Sequence, residues 1–324
     1  LITGGLGFIG SNLAIRLVQE GADVTVVDSM IPEYGGNLWN VQPVRDQLHV
    51  NIADVRDEHA MKYLLQDRDY LFNLAGQTSH LDSMANPFAD LEINARAQLS
   101  ILESCRRYNR GIKVVFASTR QIYGKPQYLP VDELHPLQPV DVNGINKLAG
   151  EMYHRLYHQV HGIRTTVLRL TNTYGPRMRV VDARQTFLGI WIRQLLEGTP
   201  ISIYGDGEQV RDFNYVDDVV GALQLAALSK QADGEVLNLG DDHPVTLTRT
   251  AELLVALREH GRYQFIPFPA DRKQIDIGDY YGTFRKIETL LNWKPTTSLQ
   301  DGLTRTVEYY AQHCQQYWPV ASAV

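Results

Sequence analysis

A chain of 324 residues with 44% hydrophobic and 21% charged residues has the make-up of a globular protein of about two domains. Its formal net charge of −6 does not attract phosphate backbones or anionic lipid, so neither nucleic acid nor a membrane is an expected partner. Two cysteines, Cys105 and Cys314, exclude a disulfide framework and a zinc ribbon, and no apolar run nears the ~20 residues of a membrane span.

The chain opens on Leu1-Ile2-Thr3-Gly4, which reads as the end of a strand whose first residues are expected to precede Leu1. No signal peptide is visible, and a cytoplasmic location is expected. Strands are predicted over Asp23–Asp28, Tyr70–Ala75, Lys113–Ala117 and Thr165–Leu170. Helical periodicity covers Ser11–Glu20, His59–Leu65, Leu91–Tyr108 and Ile145–His161. Strands alternating with helices argue βαβ units, hence an α/β Rossmann-type doubly wound parallel sheet. Gly175-Pro176 breaks this rhythm. The expected division is a dinucleotide-binding domain over 1–174 and a smaller C-terminal substrate-binding lobe over 175–324. Segments near 215–240 are expected to return to the main domain. The lobe begins with a predicted helix, Thr186–Glu197, and a strand, Ile201–Tyr204. Cys105 falls in an apolar helical pattern and reads as core.

Glycines at 4, 7 and 10 lie between a strand and a helix. They allow a tight turn, close approach of a pyrophosphate and close helix–strand packing, with the helix N-terminus facing the anion. Asp28 ends the next strand, 18 residues after Gly10. A carboxylate there accepts from both ribose hydroxyls and repels a 2′-phosphate, so NAD is expected rather than NADP. Asp54 follows the next strand, either accepting from an adenine amino group or capping a helix. Leu74-Ala75-Gly76-Gln77 supplies small residues where the dinucleotide crosses the strand ends.

The ordered motifs resemble the extended short-chain dehydrogenase/reductase family, in its NAD-dependent nucleotide-sugar epimerase/dehydratase branch, UDP-glucose 4-epimerase-like. They are Gly4-x-x-Gly7-x-x-Gly10, Ala117-Ser118-Thr119 through Tyr123-Gly124, Lys147 through Glu151, and Arg169-Leu-Thr-Asn172-Thr-Tyr174-Gly175-Pro176. Tyr204 through Gly207, Arg211-Asp212-Phe213-x-Tyr215-Val216-Asp217-Asp218-Val219 and Leu291-Asn-Trp293-Lys-Pro295 complete the set. The resemblance implies that Thr119 hydrogen-bonds the sugar hydroxyl being oxidised. It implies that Lys147 binds the nicotinamide ribose and that Asn94 anchors a helix beside the cofactor. The implied cofactor set is Gly4, Gly7, Phe8, Ile9, Asp28, Ser29, Asp54, Val55, Leu74, Ala75, Gly76, Asn94, Ala117, Ser118, Lys147 and Leu170. The implied set for a nucleotide-diphosphate sugar is Gln77, His80, Thr119, Asn172, Arg211 and Lys273, with Arg272 an alternative to Lys273. A homodimer through the helices Leu91–Tyr108 and Ile145–His161 is also implied.

The resemblance implies a tyrosine four residues before Lys147, and that position holds Asn143. An amide hydrogen-bonds but does not accept the hydroxyl proton. Four readings stay open for the catalytic set Thr119, Asn143 and Lys147. Lys147, Tyr123, His80 or a water is the base; the residue is an engineered replacement; the chain only binds NAD and a nucleotide sugar; or the reaction is altered. Dehydratases of this branch carry an acidic pair after the threonine, where this chain has Arg120 and Gln121. The leading expectation is therefore epimerisation by transient oxidation at C4, with a dehydratase or decarboxylase as alternatives. No metal is expected: His154 and His158 on one helix read as a solvated or dimer-forming face. Ser79 through Ser83 reads as a substrate-side loop or a helix cap. Arg177, Arg179 and Arg184 read as a basic run that attracts an anionic substrate or as a solvated loop.

Overall fold

In a computed structural model, which describes residues 1–182 and 186–318, strands between residues 2 and 238 build one parallel sheet. In chain order the elements are β1 (Ile2–Thr3), α1 (Phe8–Gln19), β2 (Thr25–Asp28), β3 (His49–Ile52), α2 (Glu58–Leu64) and β4 (Tyr70–Asn73). They continue with α3 (His80–Ala85), α4 (Pro87–Leu91), α5 (Ala97–Tyr108), β5 (Lys113–Thr119), α6 (Val142–His161) and β6 (Arg164–Leu170). After Leu170 come β7 (Asn172–Tyr174), α7 (Phe187–Leu196), β8 (Ile201–Tyr204), β9 (Val210–Arg211), β10 (Phe213–Tyr215), α8 (Val216–Leu228) and β11 (Val236–Asn238).

The seven-stranded sheet has the order β11-β6-β5-β4-β1-β2-β3. The chain therefore reverses its winding between β1 and β4, with Ile2 facing Val26 on one side and Phe72 on the other. Such a reversal opens a crevice beyond the carboxyl ends of the strands, where ligands bind in doubly wound sheets. The strands are β-branched and apolar because helices cover both faces: Val26, Val27, Val114, Val115 and Phe116 are fully or almost fully buried.

The predicted helix over Leu91–Tyr108 is not one α-helix. A wide π-type turn, Glu92–Arg96, separates α4 from α5. The strand Val236–Asn238 pairs with β6 at the sheet edge, and α8 leads into it. Outside this sheet, short strands pair in twos, β10 with β7 and β8 with Tyr263–Ile266. Among the described residues, no helix is long and apolar enough to cross a membrane.

Candidate active site

The loop after β1 turns at Gly4, whose φ of +67° favours glycine. A Cβ on Gly10 would stand 2.2 Å from the Gly4 carbonyl oxygen, so only glycine lets α1 approach the turn. Gly7 caps α1 without a side chain, and the first turn carries no acidic residue. The free N–H groups and helix dipole there suit an anion. Asp28 ties this loop in place: its Oδ2 accepts from Leu6 N–H (3.1 Å) and its Oδ1 from Met30 N–H (2.9 Å). Burial raises its pKa, with the backbone N–H groups of Met30, Leu6 and Gly7 acting in the opposite direction.

A cavity of about 280 Å³ runs along the strand ends. All the sequence-derived cofactor residues line it except Asn94. Asn94 lies behind Gly76, where its Oδ1 would come within 2.9 Å of a Cβ at that position. Asp54 lines the cavity, but its carboxylate already takes a fork from Arg56 at 2.9 and 2.6 Å. The adenine contact read from the sequence therefore competes with an ion pair of the chain's own. Lys147 Nζ donates to Ala117 O (3.0 Å) and sits beneath Gly76. Burial brings its pKa down to about 8, with the charge of Asp90 opposing that shift.

The end of the cavity near β5 and β7 is lined by Thr119, Arg120, Gln121, His80, Asn143 and Asn172. Thr119 Oγ1 accepts from Gln121 N–H (3.2 Å) and caps the short turn Arg120–Tyr123. Arg120 Nη2 donates to Asn172 Oδ1 (3.1 Å), while its Nη1 is buried with no partner among the described residues. Asn172 in turn donates to the backbone carbonyl of Asp212 (2.9 Å). Asp212 is fully buried, and that burial raises its pKa to about 6.

Four residues singled out in the sequence lie outside the cavity lining. Arg211 does not line the cavity: its Nη1 donates to the carbonyls of Val210 (2.8 Å) and Gly278 (2.6 Å). Its Nη2 lies 3.3 Å from Gln209 Oε1, and the Val210 carbonyl also accepts from Tyr280 N–H (3.0 Å). Lys273 is exposed on the short helix Ala270–Gln274 and is likewise outside the lining. Gln77 is buried away from the cavity, donating to Ser79 O (2.8 Å) and accepting from Asn143 (3.1 Å). Tyr123 is no base: its hydroxyl donates to Asn238 (2.6 Å) and accepts from Arg169 (2.6 Å), and burial pushes its pKa up to about 12.

Asn143 fills the expected tyrosine position, and its amide turns to Asp90 Oδ2 (2.9 Å) and Gln77 O (2.8 Å). Asn94 and Asn146 also donate to the buried Asp90 carboxylate, at 3.0 and 2.8 Å. Sequence reading missed Asp90 and Asn146. The signal was an acid one helical turn before Asn94, and two asparagines three apart at the start of α6. His154 is buried, with Nδ1 on Gly150 O (2.7 Å) and the ring stacked on Phe116, and is not a solvated helix face. Among the described residues no group of His, Cys, Asp and Glu is arranged to hold a metal. Arg177 holds Asn40 O and Asn12 Oδ1, and Arg179 pairs with Asp182, so both are bound within the fold. Arg184 lies outside the described residues.

A glycine cradle at a helix N-terminus, a carboxylate closing the second strand and a buried lysine under the cleft define a dinucleotide-binding α/β protein whose cavity continues past Thr119. The chain belongs to the NAD dependent epimerase/dehydratase family, whose model matches residues 1–240. It is 32% identical to UDP-glucuronic acid decarboxylase 1 of Danio rerio, over 100% of this chain and 76% of that one. It superposes on the UDP-glucose 4-epimerase of Thermotoga maritima, solved with UDP-glucose. There the TM-score is 0.87 at 32% identity, covering 97% of this chain and 98% of that one. The dTDP-glucose 4,6-dehydratase DesIV of Streptomyces venezuelae, solved with NAD, matches with a TM-score of 0.87 at 27% identity over 98% of each chain. The family is NAD-dependent, and the cradle of Gly4, Gly7 and Gly10 with Asp28 fits that dinucleotide.

Proposed function

We propose that this protein is an NAD-dependent nucleotide-sugar epimerase that works by transient oxidation at C4 of the sugar. The observation that carries this reading is the placement of carboxylates. Among the described lining residues, only Asp28 and Asp54 are acidic, and they stand at the ends of β2 and β3. With strands about 4.8 Å apart, they are roughly 14 and 19 Å from β5, which carries Thr119. Elimination of water from the sugar needs an acid and a base beside it, and the positions after Thr119 hold Arg120 and Gln121 instead. Epimerisation needs only proton movement at one hydroxyl and room for the keto sugar to turn.

NAD, when bound, supplies the hydride acceptor and returns the hydride. The chain's own residues do the rest. Thr119 hydrogen-bonds the sugar hydroxyl, Lys147 holds the ribose, and Arg120 with Asn172 meets an anionic group of the substrate. The unpartnered Nη1 of Arg120 favours a second reading of the sugar itself, a uronate whose carboxylate takes that fork. The exposed stripe Ile145, Met152, Leu156 and Val160 on α6 supports the expected homodimer. The test is turnover of UDP-glucose, UDP-N-acetylglucosamine, UDP-glucuronate and dTDP-glucose by NAD-loaded protein, with products resolved by NMR. A C4 epimer from any of them supports the reading. Release of carbon dioxide or water instead replaces it with decarboxylation or dehydration, and tight binding without turnover replaces it with a binding protein.

A further inference from the structure

The proton of the sugar hydroxyl needs an acceptor, and Asn143 is spent on Asp90 and Gln77. Lys147 Nζ is engaged with Ala117 O under the dinucleotide side of the cleft, and it accepts a proton only after losing one. A different pair lies at the sugar side. His80, the first residue of α3, lines the cavity with Thr119 and Gln121. Its Nδ1 stands 2.8 Å from Asp141 Oδ2 at ion-pair distance, not aligned as a hydrogen bond, and both atoms are otherwise without a hydrogen-bond partner among the described residues, so a small turn of the ring pairs them. Asp141 is the N-cap of α6: its Oδ1 accepts from Gly144 N–H (2.6 Å), and its side chain is 1% exposed. The His80 side chain is 31% exposed and faces the cleft.

We propose that His80, oriented by Asp141, is the proton acceptor that replaces the missing tyrosine. This rests on the nucleotide-sugar reading above. The chemistry follows from which nitrogen carries hydrogen. A carboxylate at Nδ1 holds the proton there, which leaves a lone pair on Nε2. Gln121 Nε2 lies 2.8 Å from that atom and occupies the lone pair, so the Gln121 side chain has to turn away where the sugar hydroxyl binds. Gln121 Oε1 is buried with no partner among the described residues. Turning away breaks no other hydrogen bond of that Oε1 and leaves the Nε2 lone pair to the hydroxyl. The proton leaves the hydroxyl oxygen and joins Nε2 as the C–H electron pair departs with its hydrogen as hydride, whose acceptor is the cofactor of the established family. On return, Nε2–H gives the same proton back to the alkoxide. Asp141 stays ionised throughout and faces the imidazolium charge. Burial alone would raise its pKa, but the bond and charge from His80 and the Gly144 N–H outweigh that and hold it low.

The pairing is read first without turnover. Proton NMR of the NAD-loaded protein is expected to show a low-field imidazole Nδ1–H resonance that disappears in both His80→Gln and Asp141→Asn. Its absence from the unmodified protein overturns the proposal. With whichever probe sugar turns over, His80→Gln is expected to slow formation of bound NADH by ~10²–10⁴-fold while NAD and sugar-nucleotide affinities stay unchanged. His80→Gly is expected to regain rate with free imidazole, which a merely structural histidine would not. A His80→Gln protein that turns over at the native rate overturns this assignment and leaves the epimerase reading standing. Native protein that neither binds nor converts a sugar nucleotide overturns both.

Discussion

Asn143 Nδ2 lies 2.9 Å from Asp90 Oδ2, so the residue at the expected tyrosine position serves a buried carboxylate. Asp90 keeps its place at 0% exposure through three neutral amides, those of Asn94, Asn143 and Asn146. Asn143→Leu keeps the approximate volume and removes one donor from a buried charge. The expected loss of stability is about 1–3 kcal/mol, read as a lower urea midpoint of the NAD-free protein. Asn143→Asp is expected to cost more at neutral pH, because two carboxylates would then face each other. An Asn143→Leu midpoint equal to the native one would remove Asp90 from the list of groups this amide supports.

Asp28 holds the glycine loop through Leu6 and Met30 while lining the cavity. Asp28→Ala is expected to weaken NAD binding and narrow the preference over NADP, measured by calorimetry. Native protein that binds NADP as tightly as NAD contradicts the ribose assignment.

Arg120 and Arg211 are expected to separate substrate binding from folding. Arg120→Met is expected to weaken sugar-nucleotide binding by about 10–150-fold, the equivalent of one charge-assisted bond of ~1.5–3 kcal/mol, with NAD binding intact. Comparing UDP, UDP-glucose and UDP-glucuronate locates the anion: a loss confined to UDP-glucuronate places it on the sugar, a loss shared by all three on the diphosphate. Arg211→Met is expected to lower thermal stability, because the Gly278 carbonyl loses the Arg211 donor and the Val210 carbonyl keeps only Tyr280 N–H. Equal affinities of native protein and Arg120→Met would take Arg120 out of the site.

His154 makes the fold sensitive to acid. Burial is the main reason its pKa falls from 6.5 to about 4, with the positive charge of Lys147 adding to it and the Gly150 hydrogen bond opposing. Between those values the unfolded chain takes up a proton that the folded chain refuses, so stability falls as pH is lowered through that window. The loss is on the order of 2–3 kcal/mol. Urea midpoints from pH 7 to 4 are expected to drop in the native protein and to drop less in His154→Gln. Parallel slopes for the two proteins would assign the acid loss to other groups.

The identity of the family and the dinucleotide cradle were legible in the chain because both depend on local geometry. Gly4 must turn and Gly10 must let a helix approach, whatever lies elsewhere, and Asp28 follows from where the second strand ends. The β-branched runs announced a buried parallel sheet for the same reason, since a strand covered on both faces has no polar side to show. The substrate side was not legible in this way. Arg120 looked only like the loss of an acid and Arg211 like an anion anchor, because a sequence shows which donors exist but not which carbonyls they meet.

What the sequence determined by itself is therefore the class of cofactor, the winding of the sheet and the fact that a tyrosine is replaced. What tertiary structure alone decided is which partner each polar side chain found. His80, Asn143 and Asp141 come from two helices separated by β5, and Asp90 meets Asn143 and Asn146 across that same interval. Hydrogen bonds and ion pairs act over about 3 Å, and chain spacing carries no information at that scale once the contacts are long-range. Packing α3 and α4 against α6 brought the donors to Asp90 and set Asp141 behind His80, so these pairings belong to the fold.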